Sequence, residues 1–183
     1  MPRLFIAVDL PAALKTAFSG FSGELPLARW VSPEELHLTL RFIGEVDQGT
    51  LSAISSALSR IRFAPFPLTL GGVGHFPPGQ RPRVLWVGLA PCPALMQLQM
   101  ELELALLEIG IPAEGRRFSP HLTLARLKET LPAAVSAFEI RHRDLACPPF
   151  EVGEFILYSS LLTAKGAIHS KEAVYSCRQA TST

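Results

Sequence analysis

Two histidines of this 183-residue chain stand in the same four-residue motif, HLTL, at residues 37–40 and 121–124. Side chains two residues apart on a β-strand point to the same face. In each motif, therefore, the histidine and the threonine share one face and the two leucines share the other. An imidazole can donate or accept a proton near neutral pH, and a threonine hydroxyl can donate a hydrogen bond to a phosphate oxygen. Two such strands across a cleft would suit acid–base chemistry at a phosphate.

The candidate site residues are His37 and His121 for proton transfer, and Thr39 and Thr123 for holding phosphate oxygens. With 5 histidines and 9 threonines in the chain, about 0.25 His-x-Thr pairs are expected by chance, so a single pair means little. Two pairs with the same leucines around them favour a shared function.

An arginine follows each motif. Arg41 comes four residues after His37, so strict alternation places it on the histidine face and predicts a phosphate contact. Arg126 comes five residues after His121, and alternation turns it to the other face unless a β-bulge redirects it. We expect other basic residues to make the neighbourhood of the site basic: Arg81, Arg83, Arg116, Arg117 and Lys128.

Aromatic residues and further histidines offer weaker candidates. Phe76 or Trp86 could stack on a nucleobase, although such residues are more often part of a core. His75, His142 and His169 fall in a Gly/Pro-dense loop, an RHR run and a terminal loop, and we expect all three at the surface.

The sequence predicts no metal and no cofactor. It contains no phosphate-binding GxxxxGK[ST] or GxGxxG loop, no GxSxG and no HExxH. No carboxylate shares a motif face, and threonine is a poor zinc ligand. The cysteines form no CxxC pair, which indicates a reducing compartment.

Composition narrows the class of protein. The chain is 48% hydrophobic and 18% charged, as expected for a folded domain rather than a disordered one. A net charge of +1 gives no general attraction to nucleic acid or to an anionic membrane. No apolar stretch reaches the roughly 18 residues that a membrane span needs. We expect a cytoplasmic protein that does not contact membranes.

Hydrophobic periodicity predicts an α+β fold. Strands are expected at 4–8, 36–46, 66–70, 84–89, 116–127 and, as FEVGEFILYSSLL and AVYSC, near the end of the chain. Helices are expected at 11–22, after Asp47, at 94–109 and, weakly, at 131–138, and a loop at 71–83. Part of 94–109 alternates like a strand, but its length and its Gln/Glu/Leu/Met/Ala content favour a helix.

The elements repeat in order, β-α-β-α-β followed by β-α-β-α-β-β, and each half contains one HLTL strand. We interpret this as an internal duplication that forms two α+β lobes of a single domain. The approximate halves are 1–75 and 76–183.

The chain resembles a known superfamily over nearly its whole length. Its segments RLFIAVDLP, WVSPEELHLTLRFIGEV, FPPGQRPRVLWVGL, FSPHLTLAR and FILYSSLLTAKGAIH, in this order, are similar to those of the 2H phosphoesterases. Within that superfamily they most resemble the RNA 2′,3′-cyclic phosphodiesterases, also called 2′-5′ RNA ligases. The resemblance implies a bilobal, monomeric α+β protein with antiparallel sheets lining a central groove and helices outside.

The resemblance also implies a reaction: metal-independent hydrolysis of RNA 2′,3′-cyclic phosphate ends to 2′-phosphomonoesters. His37 would be the proton donor and His121 the proton acceptor. Thr39 and Thr123 would hold the phosphate, and Arg126 would belong to the site. The reverse reaction would join a 5′-hydroxyl to the cyclic phosphate through a 2′-5′ bond, and microscopic reversibility allows this without ATP.

Two alternatives stay open at this point. One is a 2H phosphodiesterase that acts on a different 2′-linked or cyclic phosphate, such as a cyclic ADP-ribose phosphate or a 2′-5′ oligoadenylate. The other is a non-catalytic module that binds RNA 3′ ends in the same groove. The presence of histidine and threonine at all four motif positions argues against the binding module.

Overall fold

The structure is a computed structural model that describes residues 1–178. The strands are β1 (Arg3–Asp9), β2 (Arg29–Trp30), β3 (His37–Glu45), β4 (Phe66–Leu68), β5 (Leu70–Phe76), β6 (Val84–Leu89), β7 (Leu122–Arg126), β8 (Phe150–Val152), β9 (Glu154–Thr163) and β10 (Gly166–Ser176). The helices are α1 (Ala12–Ser19), α2 (Gln48–Ser59), α3 (Pro93–Glu108) and α4 (Pro132–His142), with a short 3-10 turn at Pro33–Glu35. The predicted α+β class is confirmed.

The helices form for the reasons that the sequence suggested. The side chain of Asp47 accepts a hydrogen bond of 2.7 Å from the backbone N–H of Thr50 and so caps the start of α2. The ambiguous segment is a helix, α3. Its buried side chains recur every three or four residues, a helical spacing. They are Leu95, Leu98, Leu102 and Leu106.

The loop predicted at 71–83 is wrong in its first half, because Leu70–Phe76 is strand β5, paired antiparallel with β6. The reason is the Trp86 side chain, whose ring lies directly over Gly74. A Cβ atom at Gly74 would come within 2.4 Å of that ring, so glycine here allows a close contact rather than a turn. The strand expected at 116–127 is also shorter than predicted, since β7 begins only at Leu122.

Strand pairing produces two four-stranded antiparallel sheets, with the orders β10-β9-β1-β3 and β2-β7-β6-β5. The two-stranded pair β4-β8 is separate. Each four-stranded sheet takes two strands from the first half of the chain and two from the second. The halves 1–75 and 76–183 therefore do not each form one sheet. Each sheet nevertheless contains one HLTL strand, β3 in the first and β7 in the second.

Each sheet packs one face against helices. The first covers a core shared with α2 and α3, where Leu38 and Leu40 are buried. The second covers a core shared with α1 and α4, where Leu122 and Leu124 are buried. The motif leucines therefore point into the cores as predicted, and the opposite faces of the sheets remain for the motif histidines and threonines.

Among residues 1–178, no helix is both long and apolar enough to cross a lipid bilayer.

The contact between Trp86 and Gly74 predicts a cost for enlarging the glycine. Gly74→Ala is expected to lower the free energy of unfolding by about 1–3 kcal/mol, because the added methyl group must displace the ring. Denaturant unfolding measures this. The control is Gly115→Ala, where no atom lies within 4 Å of the added Cβ. Equal stability of the two variants would contradict the close contact.

Candidate active site

His37 and Thr39 lie on the face of the first sheet that is turned away from its helices. In the pairing of β1 with β3, His37 is opposite Asp9 and Thr39 is opposite Ala7. The His37 ring stacks on Phe5, with centroids 4.9 Å apart. We call this surface the groove face of the first sheet.

His121 and Thr123 are presented by the second sheet, where Thr123 is opposite Trp86 in the pairing of β6 with β7. Nδ1 of His121 is 2.8 Å from the carbonyl oxygen of Ser119. A carbonyl can only accept, so Nδ1 carries the proton in this bond, and in the neutral ring Nε2 is left as a proton acceptor. The same imidazole packs nearly perpendicular to the ring of Phe76, with ring centroids 4.9 Å apart.

The strands β3 and β7, one from each sheet, come within 8 Å of each other from Cα to Cα. The backbone N–H of Val31, six residues before His37, also donates to the carbonyl of Leu124 at 2.8 Å. The two HLTL strands are thus adjacent across the junction of the sheets.

Arg126 returns to the face of Thr123 because the pairing slips. Thr123 is opposite Trp86, whereas Ala125 is opposite Leu85, so Leu124 is an extra residue in β7. Leu124 and Ala125 are both buried and Arg126 is exposed. The β-bulge needed to bring Arg126 to the face of Thr123 is therefore present.

Arg41 is not on the groove face, so the expectation that its side chain shares a face with His37 is wrong. Thr39 is opposite Ala7 and Arg41 is opposite Ile6, so Leu40 is an extra residue in β3. The slip turns Arg41 toward the core side of the sheet, where only 6% of it is exposed. Phe42 takes its place on the groove face, opposite Phe5.

The guanidinium of Arg41 is occupied by protein groups. It pairs with Glu103 of α3 at 2.8 Å, lies 3.6 Å from Glu114, and donates to the carbonyls of Phe42 and Pro112. These bonds attach the segment after α3 to β3. Arg41 is thus a structural residue, and its predicted phosphate contact has no support in this geometry.

The two aromatic candidates lie next to the second motif. Phe76 and Trp86 pack against each other, with centroids 5.3 Å apart, on the face that carries Thr123. The Nε1 of Trp86 is buried without a hydrogen-bond partner in the described chain. Stacking on a nucleobase stays a prediction.

Two further histidines have structural partners. His75 lies on β5 and its Nδ1 is 2.5 Å from Glu139 of α4, while Nε2 of His142 is 2.7 Å from Glu24. Both are half-buried, since each packs against a carboxylate partner, so they are less exposed than surface positions would be. Neither pair involves a motif residue.

His169 belongs to the groove face, and its predicted position in a surface loop is wrong. It lies on β10, and its ring meets His37 and Phe5 edge-on, with centroid distances of 5.2 Å and 4.9 Å. Its Nδ1 is buried and has no hydrogen-bond partner among the described residues. No local pattern could have shown this, because the contact depends on the order β10-β9-β1-β3.

Burial, together with a smaller effect of the positive charge on His169, lowers the pKa of the His37 imidazole to about 4. The negative charge of Asp9 acts to raise the pKa of His37, and the positive charge of Lys15 acts to lower it. Asp9 lies on β1 opposite His37, so the expectation that no carboxylate shares a motif face is wrong; it is 2.7 Å from Lys15 and 3.6 Å from Lys171. Burial also lowers the pKa of His169, opposed by Glu35. His37 is therefore neutral at pH 7 in the protein without a bound anion.

These causes predict the titration of His37. In NMR of isotope-labelled protein, its imidazole should titrate near pH 4 instead of the usual value of 6.5. His169→Phe keeps an aromatic ring and removes the positive charge, so the midpoint of His37 should rise. The control is His142→Phe, because the side chains in contact with His142 are Glu24, Phe21 and Phe138 and include no motif residue, and it should leave the midpoint of His37 unchanged. A wild-type midpoint near 6.5, or no movement in His169→Phe, would contradict this electrostatic account.

Within the described chain, no group of three or more His, Cys, Asp or Glu side chains is placed to hold a metal ion.

Comparison with known proteins places this geometry in a family. A family model described as LigT-like phosphoesterase matches residues 6–86 and again residues 87–169. The RNA 2′,3′-cyclic phosphodiesterase of Thermotoga maritima is 37% identical over 184 residues, covering 96% of this chain and 95% of the relative. A protein of the same name from Geobacillus stearothermophilus is 36% identical over 84% of this chain. That relative is longer, and the match covers only 51% of its length.

A solved structure agrees. The crystal structure of Escherichia coli LigT complexed with 3′-AMP has a TM-score of 0.78 and 30% identity, covering 98% of this chain and 100% of that one. The two consecutive matches to one family model confirm the internal repeat and the resemblance to phosphoesterases. The chain belongs to the LigT-like phosphoesterase family.

Proposed function

We propose that this protein hydrolyses RNA 2′,3′-cyclic phosphate ends to 2′-phosphomonoesters, with His37 as proton donor and His121 as proton acceptor. The observation that carries the proposal is the bond from Nδ1 of His121 to the Ser119 carbonyl, which leaves Nε2 to accept a proton. The approach of β3 to β7 supports a shared substrate. The names of the relatives and the 3′-AMP complex of LigT supply the substrate class.

In the proposed reaction, a water molecule attacks phosphorus in line with the bond to the ribose 3′ oxygen. Nε2 of His121 takes a proton from the water as the new P–O bond forms. His37 gives a proton to the 3′ oxygen as the old bond breaks, and the phosphate stays on the 2′ oxygen. Thr39, Thr123 and Arg126 hold the non-bridging oxygens, whose negative charge grows in the transition state.

The low pKa of His37 in the free protein is compatible with a proton donor that becomes protonated only when the substrate binds. A cyclic phosphate diester carries a negative charge, and an anion beside a buried imidazole favours the protonated form. His37 would then take up its proton as the substrate binds.

We extend the proposal to 2′-5′ ligation. If a 5′-hydroxyl replaces water, the same steps join it to the phosphate through a 2′-5′ bond. The cytoplasmic location and the monomeric state expected from the sequence stay predictions.

Substitution of the histidines tests the mechanism. In buffer with EDTA, the wild type should cleave a dinucleotide 2′,3′-cyclic phosphate, and His37→Ala or His121→Ala should lower kcat by roughly 10²–10⁴. The double variant should lose less than the product of the two effects, because the pair acts as a unit. His142→Ala is the control.

Two outcomes would contradict the mechanism. Wild-type activity in either single variant would favour the binding module. Loss of activity in EDTA, restored by zinc, would make the histidines metal ligands instead.

The product isomer tests the assignment of donor and acceptor. If His37 protonates the 3′ oxygen, hydrolysis should give a 2′-phosphate with a free 3′-hydroxyl. Phosphorus NMR of the hydrolysed dinucleotide separates the two isomers. A dominant 3′-phosphate would mean that the ribose binds in the opposite sense and that the two histidine roles are assigned wrongly.

A further inference from the structure

Two arginines lie side by side at the edge of the second sheet. Arg29 of β2 is directly opposite Arg126 of β7, and the next pair is Trp30 with Ala125. Trp30 packs against the core of the second sheet. Since neighbouring residues of a strand point to opposite faces, Arg29 points to the same face as Arg126. Both arginines are exposed.

Nothing in the described chain neutralises this pair. Among residues 1–178, no carboxylate lies within 4.0 Å of the guanidinium of Arg29 or Arg126, although seven other basic side chains have such partners. Like charges directly opposite each other on antiparallel strands repel. An anion bound by both side chains would remove that repulsion, and arginine binds phosphate oxygens through two parallel N–H groups.

A second observation places Arg29 at the junction of the two sheets. A Cβ atom at Gly166, the first residue of β10 in the first sheet, would lie 3.0 Å from Nη2 of Arg29. The guanidinium therefore reaches from the edge of one sheet to the start of a strand in the other. Along β7, Arg126 is three residues beyond Thr123, roughly 10 Å. Arg29, one strand further out, lies beyond the position where the motif threonines would hold the reacting phosphate.

A cyclic RNA end has a second phosphate on one side only. The cyclic phosphate occupies the 2′ and 3′ oxygens of the last ribose, so the next phosphate is the diester on its 5′ oxygen. A mononucleoside cyclic phosphate lacks that group. A cation placed beyond the reacting phosphate can thus distinguish a chain end from a free nucleotide.

We propose that Arg29, paired with Arg126, binds the phosphodiester on the 5′ side of the terminal nucleotide and so makes an RNA end a better substrate than a mononucleotide. This inference rests on the proposed hydrolysis of cyclic phosphates. Arg29 is a specificity residue, and Arg126 is shared between the two phosphates.

The test compares two substrates that differ by one phosphodiester. The kcat/KM of adenosine 2′,3′-cyclic phosphate and of the ApA dinucleotide with a 2′,3′-cyclic phosphate is measured for the wild type and for Arg29→Gln. The substitution should lower kcat/KM about 10-fold more on the dinucleotide than on the mononucleotide, as expected for losing one charge-assisted hydrogen bond. Arg29→Lys should recover part of that loss. Arg143→Gln, in an exposed pair with Asp144, is the matched control.

Salt dependence gives a second readout. For the dinucleotide, the slope of log kcat/KM against log salt should be less steep by about 1 in Arg29→Gln, because one phosphate contact is gone. Arg143→Gln should keep the wild-type slope.

The outcomes separate the two proposals. If the wild type cleaves neither substrate, the proposed function fails. If the wild type cleaves both and Arg29→Gln lowers both equally, or lowers neither, the proposed 5′-phosphate site is overturned. Thermal unfolding of each variant shows whether an equal loss reflects a damaged fold.

Discussion

A β-strand has two faces, and a side chain can change face only where the pairing with the next strand slips by one residue. Both histidine-bearing strands contain such a slip, at Leu40 and at Leu124. The first turns Arg41 into the core and brings Phe42 to the groove face. The second brings Arg126 to the face of Thr123. Two repeats that begin alike therefore present different side chains, an aromatic ring on one strand and a guanidinium on the other.

Whether a feature depends on neighbours along the chain or on strand pairing explains what the sequence could and could not predict. The HLTL motifs, the helix cap at Asp47 and the buried leucines depend on neighbours along the chain, and periodicity shows them. The face of Arg41 depends on where the pairing with β1 slips, which no local pattern records. The position of His169 depends on the order of four strands. The loop predicted over 71–83 includes Gly74 because a glycine under a tryptophan ring and a glycine in a turn look alike in sequence.

The two motif histidines stand in different surroundings. His37 is packed among the rings of Phe5, Tyr158 and His169. His121 instead contacts one aromatic ring, that of Phe76, and a backbone carbonyl accepts a hydrogen bond from its Nδ1. In the proposed mechanism, this difference in desolvation and hydrogen bonding is what would allow identical residue types in a repeated motif to perform opposite proton transfers.

The exchange of strands between the halves has a consequence for how the chain folds as it is synthesised. β1 lies between β3 and β9, so one of its edges has no partner until residues 154–163 have left the ribosome. Leu4 and Ile6, fully buried in the finished protein, face a core that also takes Phe155 and Leu157 from β9. Contacts so far apart in sequence close late and slowly. The edge of β1 that later pairs with β9 therefore stays unpaired during synthesis of the intervening residues. A chain truncated before β9 would leave that edge open to aggregation.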